Sequence, residues 1–238
     1  MPKEPRRELK IIVDTLPLEQ VRGIIRAHRV AFRPVHHRRR INNIYLDTPN
    51  FRHYYENVDG LARRSKPRVR WYGSTCGRVG EPVLEIKFKN NLWGTKARFQ
   101  IKPFEMDEDF IHSSCSRFFA GENLPPEIAE SLAGHQPVLG NTYEREYYLS
   151  FDGRYRLTLD IGVGYFVVHR KGRRLPAPDL RDPRGRFVIE IKCAQSDEPG
   201  LANISTAFPF RVTRNSKYVN GIRRIYAGVN LGSRGAAV

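Results

Sequence analysis

The chain is poor in the residues that carry covalent and redox chemistry. Its 238 residues hold three scattered cysteines, Cys76, Cys115 and Cys193. They are too few for a disulfide framework and lack metal-ligand spacing, so a reducing cytoplasm is the simplest home. No run approaches the about 20 apolar residues of a membrane span. The start, Met1-Pro2-Lys3-Glu4-Pro5-Arg6-Arg7, has no apolar stretch behind it to act as a signal peptide. There is no Gly-Lys-Ser/Thr phosphate loop and no Gly-x-Gly-x-x-Gly after a strand. A Gly-x-Ser-x-Gly elbow and a His-Glu-x-x-His pair are absent too. The seven histidines are dispersed. No covalent nucleophile is visible.

Acid is also scarce. Asp and Glu number 25 against 41 Lys and Arg, a net charge of +16. With 40% hydrophobic and 28% charged residues the chain is globular rather than a basic tail. No repeat or composition break divides it, so residues 1–230 are expected as one domain and 231–238 as a disordered tail. A folded domain this basic attracts polyanions: nucleic acid, anionic lipid or phosphorylated small molecules.

The placement of the charge narrows that choice. The run Arg38-Arg39-Arg40, after His36-His37, reads as a solvated loop. Elsewhere the cations recur at period two, the spacing of one face of a strand. Arg64, Lys66, Arg68, Arg70 and Tyr72 share a face, although Pro67 suggests an edge or bulge. Glu85, Lys87 and Lys89 oppose Leu84, Ile86 and Phe88, and Lys96, Arg98 and Gln100 oppose Ala97, Phe99 and Ile101. The same alternation puts Glu8 and Lys10, Glu190 and Lys192, Arg156 and Asp160, and Tyr143 and Arg145 on polar faces. One such strand is ordinary in an antiparallel sheet with a wet side. Seven with mainly cationic faces are not, because like charges across strands repel. A partner anion would offset that repulsion, and a barrel closed with this face inward would be a cationic tunnel. Removing Arg70 is then expected to relieve repulsion in the free protein.

Helices are expected over 17–28, 51–57, 107–120 and 125–133, with Gly- and Pro-rich turns at 73–82 and 171–186. A last helix should begin at the N-cap Ser216 and run to Tyr226. Arg214, Asn215 and Lys217 at its start make a phosphate site credible. The carboxylates on the cationic faces could hold a hard divalent cation through oxygen. Positive charge, a metal and in-line positioning are what phosphoryl transfer needs.

Several motifs occur in a fixed order: Arg6-x-Glu8-x-Lys10, Tyr45-Leu46-Asp47-Thr48, Lys66-x-Arg68-x-Arg70-Trp71-Tyr72-Gly73 and Leu84-Glu85-x-Lys87. Tyr143-x-Arg145, Arg156-x-Thr158-x-Asp160, Glu190-x-Lys192 and Arg214-x-Ser216-Lys217-Tyr218 follow. From about residue 6 to 226 the chain resembles the polyphosphate polymerase domain of the vacuolar transporter chaperone (VTC) family, within the triphosphate tunnel metalloenzymes. The resemblance implies an α+β, mainly antiparallel fold: an eight-stranded closed tunnel with helices outside. It implies a metal-dependent phosphotransferase that carries the γ-phosphoryl of a nucleoside triphosphate to polyphosphate, using Mn2+ or Mg2+. Phosphate-binding positions fall on Lys10, Lys66, Arg68, Arg70, Lys87, Lys96, Arg145, Arg156, Lys192, Arg214 and Lys217. Catalytic roles fall on Lys10, Arg68, Arg70, Lys87, Arg145, Arg156 and Lys217, and metal binding on Glu190, with Glu8 and Glu85 at carboxylate positions of the wider superfamily. Its expected partners are triphosphate, polyphosphate and a nucleoside triphosphate. A separate membrane protein remains an open partner. Hydrolysis of a short triphosphate and polyphosphate binding without turnover are alternatives. A nucleic-acid module, with Trp71 and Tyr72 stacking on bases, is a third, but no RNA-binding signature supports it.

Overall fold

The computed structural model describes residues 6–107, 119, 124–168, 180–181 and 185–226, the pair 180–181 by its backbone alone. Cys115, the tail after residue 226, nearly all of the helix expected over 107–120 and most of the turn expected over 171–186 lie outside the described residues.

The strands with alternating charge form the body of the protein. They are β1 (Arg6–Val13), β2 (Arg33–Asp47), β3 (Arg63–Tyr72), β4 (Gly77–Val79), β5 (Val83–Asn90), β6 (Trp93–Gln100), β7 (Phe104–Met106), β8 (Gln136–Leu149), β9 (Arg156–Phe166), β10 (Leu180–Arg181) and β11 (Phe187–Ala194). Helices α1 (Leu18–Arg26), α2 (Arg52–Val58), α3 (Pro126–Ser131), α4 (Glu198–Thr206) and α5 (Lys217–Ile225) punctuate them. The class is α+β, mostly antiparallel strand. Nine strands pair in the order β10-β9-β11-β1-β6-β5-β3-β2-β8, and β8 also pairs with β9. The seam between β1 and β6 is a single pair, Arg6 with Gly94. The short β4 and β7 form a separate ribbon, so the stretch expected as a turn at 73–82 contains a strand. No helix among the described residues is long and apolar enough to cross a membrane.

The basic run at Arg38–Arg40 is strand, not loop. It lies in the long β2, which pairs with β8 through register shifts between Pro34 and His36 and between His36 and Arg39. Both faces of this stretch are largely exposed, so no apolar alternation marks it in the sequence. Pro67 is accommodated simply. β2 pairs with β3 only as far as Tyr45 opposite Arg68, so Pro67 lies just beyond the last β2 partner.

The outer faces carry the core. Under β1, β9 and β11, Ile11, Leu157, Leu159, Ile189 and Ile191 pack against Val21 and Ile25 of α1 and Leu201 and Ile204 of α4. Under β2, β3 and β5, Leu46, Val69, Trp71, Leu84 and Ile86 pack with Val79 and Met106 of the ribbon. Trp71 is 2% exposed and donates its indole N–H to the Ser74 carbonyl, so it cannot stack on a base. Cys193 is a core residue, as its strand position suggests.

The third cluster lies on the charged side of the sheet. Tyr45, Leu139, Tyr143, Val163 and Tyr165 pack there against Tyr218, Val219 and Ile222 of α5. The helix approaches closely at Gly221, where a Cβ would meet the Leu139 and Tyr165 side chains at 2.5 and 2.6 Å. Ser216 caps α5, accepting from the Val219 N–H at 3.4 Å. Asp47 ties the helix down. It accepts from the Tyr218 hydroxyl and from the backbone N–H groups of His53 and Tyr54 in α2. The helix therefore covers one end of the charged face, and the other end is left to polar side chains.

Candidate functional site

Register across strands brings the alternating charges together. Lys10 stands opposite Glu190, and Glu8 opposite Lys192. Arg145 stands opposite Asp160. Arg68 and Arg98 flank Glu85 from β3 and β6. The four carboxylates thus become the centres of ion clusters.

Glu85 is enclosed, with 1% of its side chain exposed. Arg68 lies 2.7 Å from it, Arg98 2.8 Å, Lys96 3.4 Å and Arg70 3.5 Å. Burial would raise its pKa, but Arg68, Arg70 and Lys96 hold it well below the usual carboxylate range. Asp160 is fully buried and binds the Arg145 guanidinium at 2.5 and 2.7 Å and the Lys217 ammonium. Glu190 gathers Lys192 at 2.8 Å, Arg145 at 3.4 Å, and Lys10 and Lys217 at 3.5 Å. Glu8 holds Lys87 at 3.0 Å, Lys10 at 3.1 Å and Lys192 at 3.8 Å. Tyr143 bridges two strands of the face. Its ring lies 4.7 Å from the Lys217 ammonium and its hydroxyl accepts from Arg70 at 3.4 Å.

One row is balanced only in part. Lys66, Lys87 and Lys96 stand directly opposite one another on β3, β5 and β6. Like charges so placed destabilise a sheet. Burial, reinforced by Lys10, Lys87 and Arg64, lowers the Lys66 pKa well below the usual lysine value. Lys66 meets the Ser216 hydroxyl at 3.2 Å and has no carboxylate partner among the described residues. Burial and neighbouring cations bring Lys87 and Lys96 each down to about 8, despite Glu8 and Glu85. Two donors on the face also lack partners among the described residues: Asn141 Nδ2 and Thr158 Oγ1.

The family model of the VTC domain matches residues 5–226. The chain belongs to the VTC domain family. Among solved structures, a protein from Pyrococcus horikoshii is similar, with a TM-score of 0.50 and 16% identity over 92% of this chain and 99% of that one. A candidate adenylate cyclase from Vibrio parahaemolyticus aligns with a TM-score of 0.49 and 12% identity, over 91% of this chain and 98% of that one. At 16% identity the likeness to the Pyrococcus horikoshii protein shows the fold alone. None of the curated proteins matches the chain.

In this VTC domain most of the expected phosphate positions meet on one face: Lys10, Lys66, Arg68, Arg70, Lys87, Lys96, Arg145, Lys192 and Lys217. Arg156 stands opposite Lys192 on the same face but, like Arg214, is exposed and carries no ion pair among the described residues. Arg70 is more structural than its spacing implies. It is 8% exposed and donates to Asn43 Oδ1 at 2.9 Å, so its loss would leave a buried acceptor unpaired. The expectation that its removal only relieves repulsion does not survive that geometry. The role of Asp160 as an anchor goes beyond the motif in which it occurs. Its parity with Thr158 was the available signal. Arg98 had the same signal, two residues from Lys96. Asn43 and Asn141, joined by a 2.7 Å hydrogen bond, had none.

The three carboxylates expected at a metal differ in fitness. Glu8 and Glu190 share Lys10 and Lys192, so they face a common space. Two carboxylates completed by substrate phosphate oxygens are the donor set that Mg2+ favours. Glu85 is held by Arg68, Arg70, Lys96 and Arg98, shares no cation with that pair and so stands apart from it. Among the described residues no three His, Cys, Asp or Glu side chains are grouped as metal ligands, so substrate oxygens would have to complete the shell.

Proposed function

We propose that this VTC domain binds the phosphate chain of a triphosphate or polyphosphate along its charged face and transfers the γ-phosphoryl of a nucleoside triphosphate to polyphosphate. The sheet, with β8 paired to both β2 and β9, would curl around that chain as a tunnel. The observation that carries the reading is the row of three directly opposed lysines, Lys66–Lys87–Lys96, of which Lys66 has no carboxylate partner among the described residues, beside the unpartnered donors of Asn141 and Thr158. A thin polyanion would supply the missing negative charge and accept those hydrogen bonds.

Each part of the face has a task in this reaction. Arg68, Arg70 and Arg145 grip phosphate oxygens with planar guanidinium groups, which suit bidentate contact. The lysine row follows the chain as point charges. Glu190 and Glu8 would hold Mn2+ or Mg2+, which supplies charge neutralisation at the transferring group. The terminal oxygen of the acceptor chain attacks the γ-phosphorus, the bond to the β–γ bridging oxygen breaks, and a nucleoside diphosphate leaves. No protein nucleophile is required. Positioning and electrostatic stabilisation provide the rate.

Incubation of the purified protein with ATP and Mn2+ tests the proposal, with products resolved by gel and phosphorus NMR. Long phosphate chains are expected. Orthophosphate and nucleoside diphosphate without longer phosphate chains would mean that water is the acceptor and the enzyme a triphosphatase. Absence of turnover, with tripolyphosphate still bound, would reduce the domain to a binding module. Tripolyphosphate should also bind more tightly than single-stranded RNA at physiological ionic strength, because an enclosed face excludes bases. An open basic surface would favour RNA, with a steep salt dependence.

A further inference from the structure

The first residues of α5 gather lysines from two different strands. Lys10 of β1 donates to the Asn215 carbonyl at 2.9 Å, and Lys66 of β3 meets the Ser216 hydroxyl at 3.2 Å. Lys87 of β5 stands directly opposite Lys66, and Arg64 precedes it by two on the same face of β3. Ser216 is the N-cap of the nine-residue α5. The Lys66 amine therefore lies among cations and at the positive end of a helix, where an ammonium is disfavoured and an anion favoured.

The three lysines of the row differ in what stands beside them. Lys87 has Glu8 at 3.0 Å, and Lys96 has Glu85 at 3.4 Å. Lys66 has the Ser216 hydroxyl instead. Burial first, then Lys10, Lys87 and Arg64, lower its pKa well below the usual lysine value. Glu8 acts the other way, but its carboxylate is held by Lys87 and Lys10. A lysine desolvated beside other cations exposes its lone pair and becomes a nucleophile.

An amine in such surroundings gains by becoming an anion. Dissolved carbon dioxide converts it directly. The Nζ lone pair forms an N–C bond to the carbon, one C=O pair withdraws onto oxygen, and an N–H proton leaves to water. The product is a lysine carbamate with one negative charge. It can accept from the Ser216 hydroxyl, sits beside Lys10 and Lys87, and suits the N-terminus of α5. On Lys87 or Lys96 the same anion would be set against Glu8 or Glu85. The row therefore selects Lys66.

We propose that Lys66 is a carbamylation site, which takes up carbon dioxide on Nζ when the face holds no phosphate chain. The carbamate supplies the row with the negative charge it lacks. A phosphate chain competes with it for the same cations. That competition rests on the reading of the face as a triphosphate site, whereas the modification itself does not.

Carbon NMR of the whole chain in isotope-labelled bicarbonate, free of phosphate and with divalent ions chelated, reads the carbamate directly. A carbamate resonance is expected in the wild type and its loss in Lys66→Met and Lys66→Arg, with a thermal melt to check folding. A second measurement needs no variant: trapping the carbamate as an ester by alkylation, then digestion and mass spectrometry, should place it on Lys66. No resonance in the wild type, its persistence in both variants, or trapped label only on other amines overturns the site. Added tripolyphosphate should abolish the resonance. Bound tripolyphosphate that leaves it untouched puts the carbamate away from the face and also overturns the site. A carbamate on Lys66 in a protein that does not bind tripolyphosphate would remove the triphosphate reading and leave the modification standing. Tripolyphosphate binding with no carbamate does the reverse.

Discussion

Two walls of the same charged face solve the problem of buried charge in opposite ways. On β1, β8, β9 and β11, with the start of α5, the cations Lys10, Arg145, Lys192 and Lys217 meet Glu8, Asp160 and Glu190. On β3, β5 and β6, Arg64, Lys66, Arg68, Arg70, Lys87, Lys89, Lys96 and Arg98 have Glu85 as the one acid of their own strands, and Lys87 reaches across to Glu8 of β1. The first wall is near neutrality and is locked by ion pairs that persist without a ligand. The second holds an excess of cations, and in Lys66, Lys87 and Lys96 burial and neighbouring cations lower the pKa. The comparison separates scaffold from ligand surface. The balanced wall fixes geometry, and the unbalanced wall is the place where an anion gains most.

The largest expected difference between the walls comes from Asp160. Asp160→Asn leaves Arg145 and Lys217 buried with only Glu190 between them. Removing one member of a buried ion cluster costs about 3–5 kcal/mol, and the lower end is expected here because Glu190 remains. A denaturant melt reads this directly. A loss below about 1 kcal/mol would show that the wall does not depend on its carboxylates. Glu190→Gln should cost less, about 1–3 kcal/mol, the scale of charged hydrogen bonds lost. It should also end turnover while metal-free tripolyphosphate still binds, because a negative charge has left a cationic face. Full activity in this variant would make Glu190 a structural residue only.

On the other wall the sign of the stability effect should reverse. Lys66→Met removes a cation with no carboxylate partner among the described residues. The free protein should hold its melting temperature or gain, while tripolyphosphate affinity falls by about 1–3 kcal/mol. The stabilisation given by added ligand shrinks with it, since that gain follows the logarithm of ligand concentration over Kd. Destabilisation of the free protein by Lys66→Met would erase the contrast between the walls.

Much of this face was legible from period two alone. Alternation assigned Lys10, Arg68, Arg70, Lys87, Arg145 and Glu190 to polar faces without any tertiary information. It could not show which acid meets which base, because register is decided by turns and by partners far away in sequence. Glu85 acquires Arg68 from β3 and Arg98 from β6 only through that register. Nor could alternation show that part of the same face is apolar. Leu139, Val163 and Tyr165 lie beneath α5, and Gly162 at φ +62° sits beside the register shift between Thr142 and Glu144. Past such a bulge the parity of a strand no longer follows from counting residues. The Arg38–Arg40 strand was hidden for a simpler reason: it buries almost nothing on either side.

The smallest expected effect is in protons, and it probes the unbalanced wall without breaking it. Lys87 and Lys96 have pKa values of about 8 in the folded protein, below the 10.5 of a free lysine. Between those values the unfolded chain holds more protons, so the contribution of these lysines to stability rises with pH through that window. A bound polyanion does the opposite to the equilibrium: it favours the charged ammonium groups. Binding at pH 8 should therefore draw in on the order of one proton across the two lysines, and affinity should weaken as pH rises above 8. Titration in two buffers of different ionisation enthalpy measures that uptake. Because the ligand phosphates titrate as well, the informative quantity is the difference between wild type and Lys87→Met, where uptake should drop by that residue's share. Equal uptake in the two proteins would mean that Lys87 is already fully charged in the free state and that the repulsion across β3, β5 and β6 is screened before any ligand arrives.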